Sequence, residues 1–195
     1  MLHKKFTRII RDFICIIGLV AISPVLFFAA IAIFFEDGMP VFFVQERLGK
    51  NKLIFKIIKM RTLKLEAPNI GTHELEEKHK LRSGELIRKI KLDEFPQLIN
   101  VLKGEVNLVG PRPGLVSQVD LTENRLAKGI YGIKPGITGL SQVLGFDMSN
   151  PEKLAEIDKI YIDKKSLYID FLIITSTFIT YPRKYLTEII TEINV

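Results

Sequence analysis

From Phe13 to Phe35 the chain reads FICIIGLVAISPVLFFAAIAIFF, 23 residues without a charge. As a helix this run is about 34 Å long, enough to cross a bilayer core of about 30 Å. It is too long for the apolar region of a cleavable signal peptide, and no small-x-small cleavage site comes before Glu36-Asp37. Ser23-Pro24 stands at its centre. Proline removes a backbone donor and clashes with the carbonyl four residues back, so a kink is expected there. Two geometries remain. A kinked helix can span if neighbours or the Ser23 hydroxyl satisfy the freed carbonyls. Alternatively, the helix enters, bends at Ser23-Pro24 and returns to the side it came from. Lys4, Lys5, Arg8 and Arg11 precede the run, and Arg47, Lys50, Lys52, Lys56 and Lys59 follow it. Both flanks therefore read as cytoplasmic, which favours return.

The 195 residues leave room for one domain beside this anchor. A net charge of +6 and a pI near 9.3 point to an anionic partner: nucleic acid, a membrane surface or a phosphorylated substrate. Cys15 is the single cysteine, so no intramolecular disulfide can form. His3, His73 and His79 lack ligand spacing, which argues against a zinc site.

Beyond Gly38-Met39-Pro40 two β-rich runs, Val41–Val44 and Leu53–Ile58, flank a Gly49-Lys50-Asn51 turn and predict a short hairpin. Residues 64–82 read as a polar surface loop running into a solvated helix. Residues 83–92 place Leu86, Ile87 and Ile90 at helical spacing with Arg88, Lys89 and Lys91 on other faces. That helix suits either an anionic membrane surface or a protein core. A second helix is expected from about 94 to 103, and short extended pieces over EVNLVGPRPG and IKPGITGLSQV. Asn150-Pro151-Glu152 starts a helix that buries Leu154, Ile157 and Tyr161. A further apolar helix covers about 167–180, and the last fifteen residues read as peripheral.

No glycine-rich phosphate loop, nucleophile elbow or basic–aromatic repeat is present, so nucleic acid is not an expected partner. Three features can carry chemistry. Asp93-Glu94 lie side by side near a helix start, too close in sequence to face each other across a substrate. They read either as a cap and a dipole complement or as an ionised nucleophile directed at phosphorus with its neighbour. In GPRPG (110–114), Pro111 and Pro113 stiffen the backbone around Arg112, whose planar fork suits phosphate; a rigid turn with a surface arginine is the alternative. Lys59, Arg61 and Arg88 are further cations able to face a polyanion.

Taken in order, SP in the apolar helix, VFFVQERLGKNKLIFKIIKMRTL, GELIRKIKLDEFPQLINVLKGEVNLVGPRPG, KPGITGLSQV and the pair Asp158 and Tyr161 resemble the bacterial sugar transferases that act on polyprenol phosphate, the small monotopic phosphoglycosyl transferases. The resemblance covers about residues 5–180. It implies an α+β, mainly helical fold: a re-entrant membrane helix (1–38, with its break at Ser23 and Pro24), then a catalytic domain (39–185) with a short β-hairpin and amphipathic interfacial helices, and a peripheral tail (186–195). It implies transfer of a phospho-sugar from a UDP-sugar to polyprenol phosphate on the cytoplasmic face of the inner membrane, with UMP released through a covalent intermediate. This is the first membrane step of glycoconjugate assembly.

Asp93 then matches the nucleophile and Glu94 its acid/base or positioning neighbour, with Mg2+ held at Asp93 and the diphosphate. Lys59, Arg88 and Arg112 match phosphate-binding positions. Arg61, Gln97, Pro111, Pro113, Asp158 and Tyr161 are other candidates for the substrate site. Membrane phospholipid is an implied partner, and homodimer formation is left open. The chain departs from many relatives at Phe146-Asp147, where an arginine commonly follows the glycine, and at Val44, where a basic residue is common. The alternative from another class is a membrane-anchored adaptor binding anionic lipid through its basic face.

Overall fold

The structure, a computed structural model, describes residues 2–67, 79–179 and 183–191. Most of the expected polar loop lies outside these residues. The chain is mainly helical with two small two-stranded sheets, and it divides into two compact units, Met1–Gln45 with Ile57–Leu102 and Glu46–Lys56 with Lys103–Val195.

The first unit begins with α1 (Leu2–Asp37), which is helical throughout and has Pro24 inside it. Pro24 has no N–H to give the Val20 carbonyl, and the Ser23 hydroxyl donates to that carbonyl at 2.8 Å instead. The expected local relief of the proline is therefore present, and the helix continues through it. Among the described residues α1 is the one helix long and apolar enough to cross a membrane, and it marks the chain as membrane-associated. Phe13, Phe27, Phe28 and Phe35 are exposed along it. One face of its second half is covered, however. Ile22, Leu26, Ala29, Ala30 and Ile33 pack with Val41, Met60, Leu81, Ile87 and Leu92.

The end of α1 is tied down by charge. Arg61 Nη1 donates to Asp37 Oδ2 at 2.6 Å, while its Nη2 donates to the carbonyls of Asp37 and Gly38. The Glu36 carboxylate accepts the backbone N–H groups of Arg82 and Ser83 at 2.6 and 2.9 Å. Those two residues open α2 (Arg82–Lys89), whose first amides have no partner within the helix, so a carboxylate there does the work of a cap. Gly84 lets α2 approach closely, because a Cβ there would stand 2.8 Å from Thr62 Cα.

The expected apolar face of α2 is divided. Ile87 is buried, whereas Leu86 and Ile90 are exposed. The expected helix from 94 to 103 also takes another form. A 3₁₀ turn, Leu92–Gln97, holds Pro96, and only then does α3 (Leu98–Lys103) begin. Proline cannot donate to a preceding carbonyl and interferes with the turn before it, so the regular helix starts after it.

β1 (Phe42–Leu48) and β2 (Ile54–Met60) form the expected hairpin, with its base in the first unit and its tip in the second. Its turn uses Asn51 and Lys52 in the left-handed region. In the second unit β3 (Asn107–Val109) pairs in parallel with β4 (Gly136–Thr138), Asn107 opposite Gly136 and Val109 opposite Thr138. A Cβ on Gly110 would lie 2.8 Å from the Gly136 nitrogen, so glycine permits these two backbones to meet.

Between these strands runs α4 (Val119–Ala127), which the sequence reading passed over; α5 (Leu140–Val143), α6 (Pro151–Lys164), α7 (Leu167–Phe178) and α8 (Arg183–Thr191) follow β4. α6 opens as expected, with the Asn150 side chain accepting from the Lys153 amide at 3.0 Å, and buries Leu154, Ile157 and Tyr161. Leu186 of α8 is fully buried against Val109, Ile157, Tyr161 and Ile173, so the expected peripheral tail begins with a core residue.

Candidate active site

The 3₁₀ turn carries Asp93 and Glu94 in its first turn, after Lys91 in the left-handed conformation (φ 61°). Asp93 is therefore inside the turn and is not its cap, contrary to the cap reading. It is also buried, with 9% of its surface exposed. Burial pushes its carboxyl above the ordinary carboxylate value, and the neighbouring Glu94 charge adds to the rise. Lys59 and Arg88 oppose this, Lys59 the more strongly. The expectation that a helix start holds Asp93 ionised is thus corrected, because desolvation is the largest influence on it. Two cations supply the counter-charge that a helix terminus was expected to provide.

Each cation is itself positioned. Lys59 Nζ, on β2, lies 3.1 Å from Glu94 Oε1, and both side chains are mostly buried. Arg88 Nε, on α2, donates to Thr62 Oγ1 at 2.8 Å. The Asn100 side chain accepts from the Ile58 amide at 3.1 Å, linking α3 to β2 beside Lys59. Gln97 is 2% exposed and its side-chain nitrogen has no hydrogen-bond partner among the described residues. Asp93, Glu94, Lys59, Arg88 and Gln97 thus all belong to the first unit. Arg61 belongs there too, but its guanidinium grips the end of α1, a scaffolding task.

The remaining sequence candidates lie in the second unit. Arg112 sits between the buried Pro111 and Pro113 beside a small cleft also lined by Leu48, Tyr131 and Arg125. Arg47 reaches this loop, Nη1 donating to the Pro113 carbonyl at 3.2 Å. Burial, with the Arg112 charge nearby, brings Arg47 down to about 10. Asp158 and Tyr161 do not face solvent. Asp158 pairs with Arg125 and accepts from the Ser141 hydroxyl, and the Tyr161 hydroxyl lies 2.7 Å from Asp170 Oδ1 and 3.2 Å from the Val109 carbonyl. Arg47, Arg125 and Ser141 were missed as site residues. Nothing in their local sequence separates them from solvated polar groups, since it is the tertiary fold that buries Arg125 and Ser141 and partly covers Arg47. Asp147 accepts from the Ser149 amide at 2.9 Å, a local turn just before α6.

A profile of the bacterial sugar transferase family matches residues 2–184. A Bacillus subtilis protein named uncharacterized sugar transferase EpsL is 38% identical over 155 residues, covering 80% of this chain and 76% of its own length. The UDP-N-acetylgalactosamine-undecaprenyl-phosphate N-acetylgalactosaminephosphotransferase of Aeromonas hydrophila is 34% identical over 172 residues, which is 85% of this chain but 41% of that protein. The UDP-glucose:undecaprenyl-phosphate glucose-1-phosphate transferase of Caulobacter vibrioides is 34% identical over 166 residues, 80% of this chain and 61% of that protein. The chain thus spans three quarters of the Bacillus relative and a smaller share of the other two. It belongs to the bacterial sugar transferase family and is a sugar-phosphate transferase.

Proposed function

We propose that this protein transfers a phospho-sugar from a UDP-sugar to polyprenol phosphate, in two steps through Asp93. The observation that carries the reading is a buried carboxylate with two cations, Lys59 and Arg88, acting on it. The activities for which the Aeromonas and Caulobacter relatives are named supply the substrate class. In the first step Asp93 attacks the phosphorus bearing the sugar, the bond to the bridging diphosphate oxygen breaks, and UMP leaves. In the second, a phosphate oxygen of the lipid attacks that phosphorus, the acyl phosphate bond breaks, and the Asp93 carboxylate is restored. The product is a polyprenyl diphosphate-sugar on which a glycan can be built.

A carboxylate approaching a diphosphate meets like charge, so the site must supply positive charge. Lys59 and Arg88 provide it in the first unit, and Arg112 keeps the phosphate-binding role that the family resemblance implies for it. Glu94, held by Lys59, positions that lysine and accepts or returns a proton. Among the described residues no three His, Cys, Asp or Glu side chains are gathered as a metal cage. Mg2+ needs no such cage, since it binds through one or two carboxylates together with substrate phosphates. Asp93, whose ionised form is disfavoured by burial and by Glu94, fits that role. Bound there with the diphosphate, the ion would neutralise developing charge on the phosphate oxygens.

We place the helix as re-entrant and the body on the cytoplasmic face, where nucleotide sugars are. Packing on α1 begins by Cys15, which is 1% exposed, and a Cβ on Gly18 would lie 3.5 Å from Leu98 Cδ1, so little charge-free helix beyond Asp12 is left uncovered. A crossing needs about 30 Å. Crossing would draw the residues packed on Ile22–Ile33, and the charges beside them, into the bilayer.

The test uses the full chain in detergent or nanodiscs with a sugar-labelled UDP-sugar. Without lipid, wild type should retain label on the protein and release UMP, and Asp93→Asn should do neither. Wild-type turnover by Asp93→Asn would refute the mechanism.

A further inference from the structure

The GPRPG loop is held almost wholly through its carbonyls. Pro111 and Pro113 have no N–H to donate, and four successive carbonyls are each taken by a donor from elsewhere in the same unit. The Gly136 amide donates to Pro111, Arg125 Nη1 to Arg112, Arg47 Nη1 to Pro113 and the Leu48 amide to Gly114, at 3.0, 2.7, 3.2 and 3.0 Å. The bond to Arg112 is the shortest of the four. Its donor is also the most constrained, since Arg125 is 2% exposed and Asp158 is 1% exposed.

The division of the Arg125 fork is informative. Nε and Nη2 both face Asp158 Oδ2, at 3.0 and 2.5 Å, and Ser141 Oγ occupies Oδ1 at 3.1 Å. With one edge of the guanidinium anchored on α6, its planar geometry directs Nη1 to a set point, and the Arg112 carbonyl is there. The relay runs from Ser141 on α5 through Asp158 on α6 and Arg125 on α4 to the loop. A buried ion pair is weak evidence for stability by itself, because desolvation offsets much of the attraction. Here the pair leaves one donor aimed at a single carbonyl.

We propose that Arg125, fixed by Asp158, is a positioning residue that sets the orientation of Arg112. Proline rings fix φ on either side of Arg112, and Pro113 restricts the ψ of Arg112. Fixing the plane of the 112–113 peptide then leaves the Cα–Cβ direction of Arg112 little freedom. Asp158, read from sequence as a substrate-site residue, acts on Arg112 through Arg125 and does not touch substrate. This rests on the reading of Arg112 as a phosphate ligand.

The experiment measures UMP release by the full chain with polyprenol phosphate and UDP-sugar, for Arg125→Lys, Arg112→Ala and the combination. Lysine keeps a charge for Asp158 but cannot serve both partners at once. Arg125→Lys should unfold near the wild-type temperature and lose roughly ten- to a hundredfold in kcat/KM. It should cost nothing more in the Arg112→Ala background, because the group it positions is gone. If Arg125→Lys fails to fold, the charge-free pair Arg125→Met with Asp158→Leu is read in the same way.

Wild-type kinetics in the folded variant would overturn the proposal. So would an equal loss with and without the Arg112 side chain, which marks a purely structural role. An Arg112→Ala enzyme of full activity overturns this proposal and leaves the transferase reading standing. A wild-type protein that releases no UMP from any UDP-sugar overturns both.

Discussion

Gly84 is where the fold of the first unit and its chemistry meet, and Gly84→Ala tests that junction. A Cβ at this position would stand 2.8 Å from Thr62 Cα and 2.9 Å from Thr62 C, with the Thr62 carbonyl oxygen closer still. Ordinary contact begins near 3.4 Å, so α2 must retreat by about 0.6 Å or more. All the opposing atoms are backbone, so no side chain can rotate away. Overpacking of this kind costs about 1–3 kcal/mol. Alanine returns about 0.5–1 kcal/mol of helix propensity, leaving a net loss of up to about 2.5 kcal/mol. For a chain of this size the melting temperature should fall by up to about 10 °C.

The effect on rate should be larger than the effect on stability. Arg88 lies one helical turn beyond Gly84 on the same face, and its Nε bond to Thr62 Oγ1 spans the gap that opens. If Arg88 binds phosphate as proposed, a displacement approaching 1 Å should lower UMP release about ten- to a hundredfold. Gly132→Ala, where a Cβ meets nothing within 4 Å, should stay within about 0.5 kcal/mol of wild type and keep full activity. Thermal unfolding and UMP release on the three proteins decide the matter. A Gly84→Ala protein as stable and active as wild type would refute the argument that α2 is seated by backbone contact.

Two other outcomes follow from the same structure. The folded state raises the carboxyl pKa of Asp93, so its stability contribution is fully present below the unfolded-chain value and is lost as pH rises through the folded value. With EDTA present, Asp93→Asn should therefore melt above wild type at pH 7 and converge with it in acid; a lower melting temperature at pH 7 contradicts the assigned burial penalty. Leu186→Ala removes a fully buried side chain from the second unit's core and should cost about 2–5 kcal/mol in urea unfolding, whereas a loss below about 1 kcal/mol would mean α8 is dispensable.

What was legible in the chain was legible for local reasons. A charge-free run, a turn flanked by β-rich segments and an Asn-Pro-Glu helix start each carry their signal within a few residues, and α1, the hairpin and α6 appear where expected. α4 escaped notice because its buried positions are Leu121 and Arg125, and a buried arginine breaks the apolar period that marks a helix face. Asp158 and Tyr161 are three residues apart and share a face of α6, which is legible; that this face turns inward, toward Arg125 and the core, depends on segments distant in sequence. The nature of the 92–97 turn was likewise hidden. Pro96 announces a helix boundary, but whether the acids before it cap a helix or sit inside a tighter turn depends on Lys91 adopting a left-handed conformation.

That last difference alters the physical account of Asp93. A capping aspartate is stabilised as an anion, and a well-stabilised anion is a poor nucleophile, because reactivity toward phosphorus falls as the anion becomes less basic. Burial acts in the other direction. It makes the ionised carboxyl costly, and in the proposed mechanism forming the acyl phosphate bond would remove that charge from the buried oxygen, the charge leaving with UMP. Lys59 and Arg88 set the limit of the effect, since both favour the ionised form of the carboxyl. The turn, the burial and the two cations therefore have to be considered together. Loss of either cation should reduce the ionised fraction, and added solvent access should reduce the nucleophilicity of what remains. A position between those losses is what a carboxylate needs if it is to accept a phospho-sugar and then give it up.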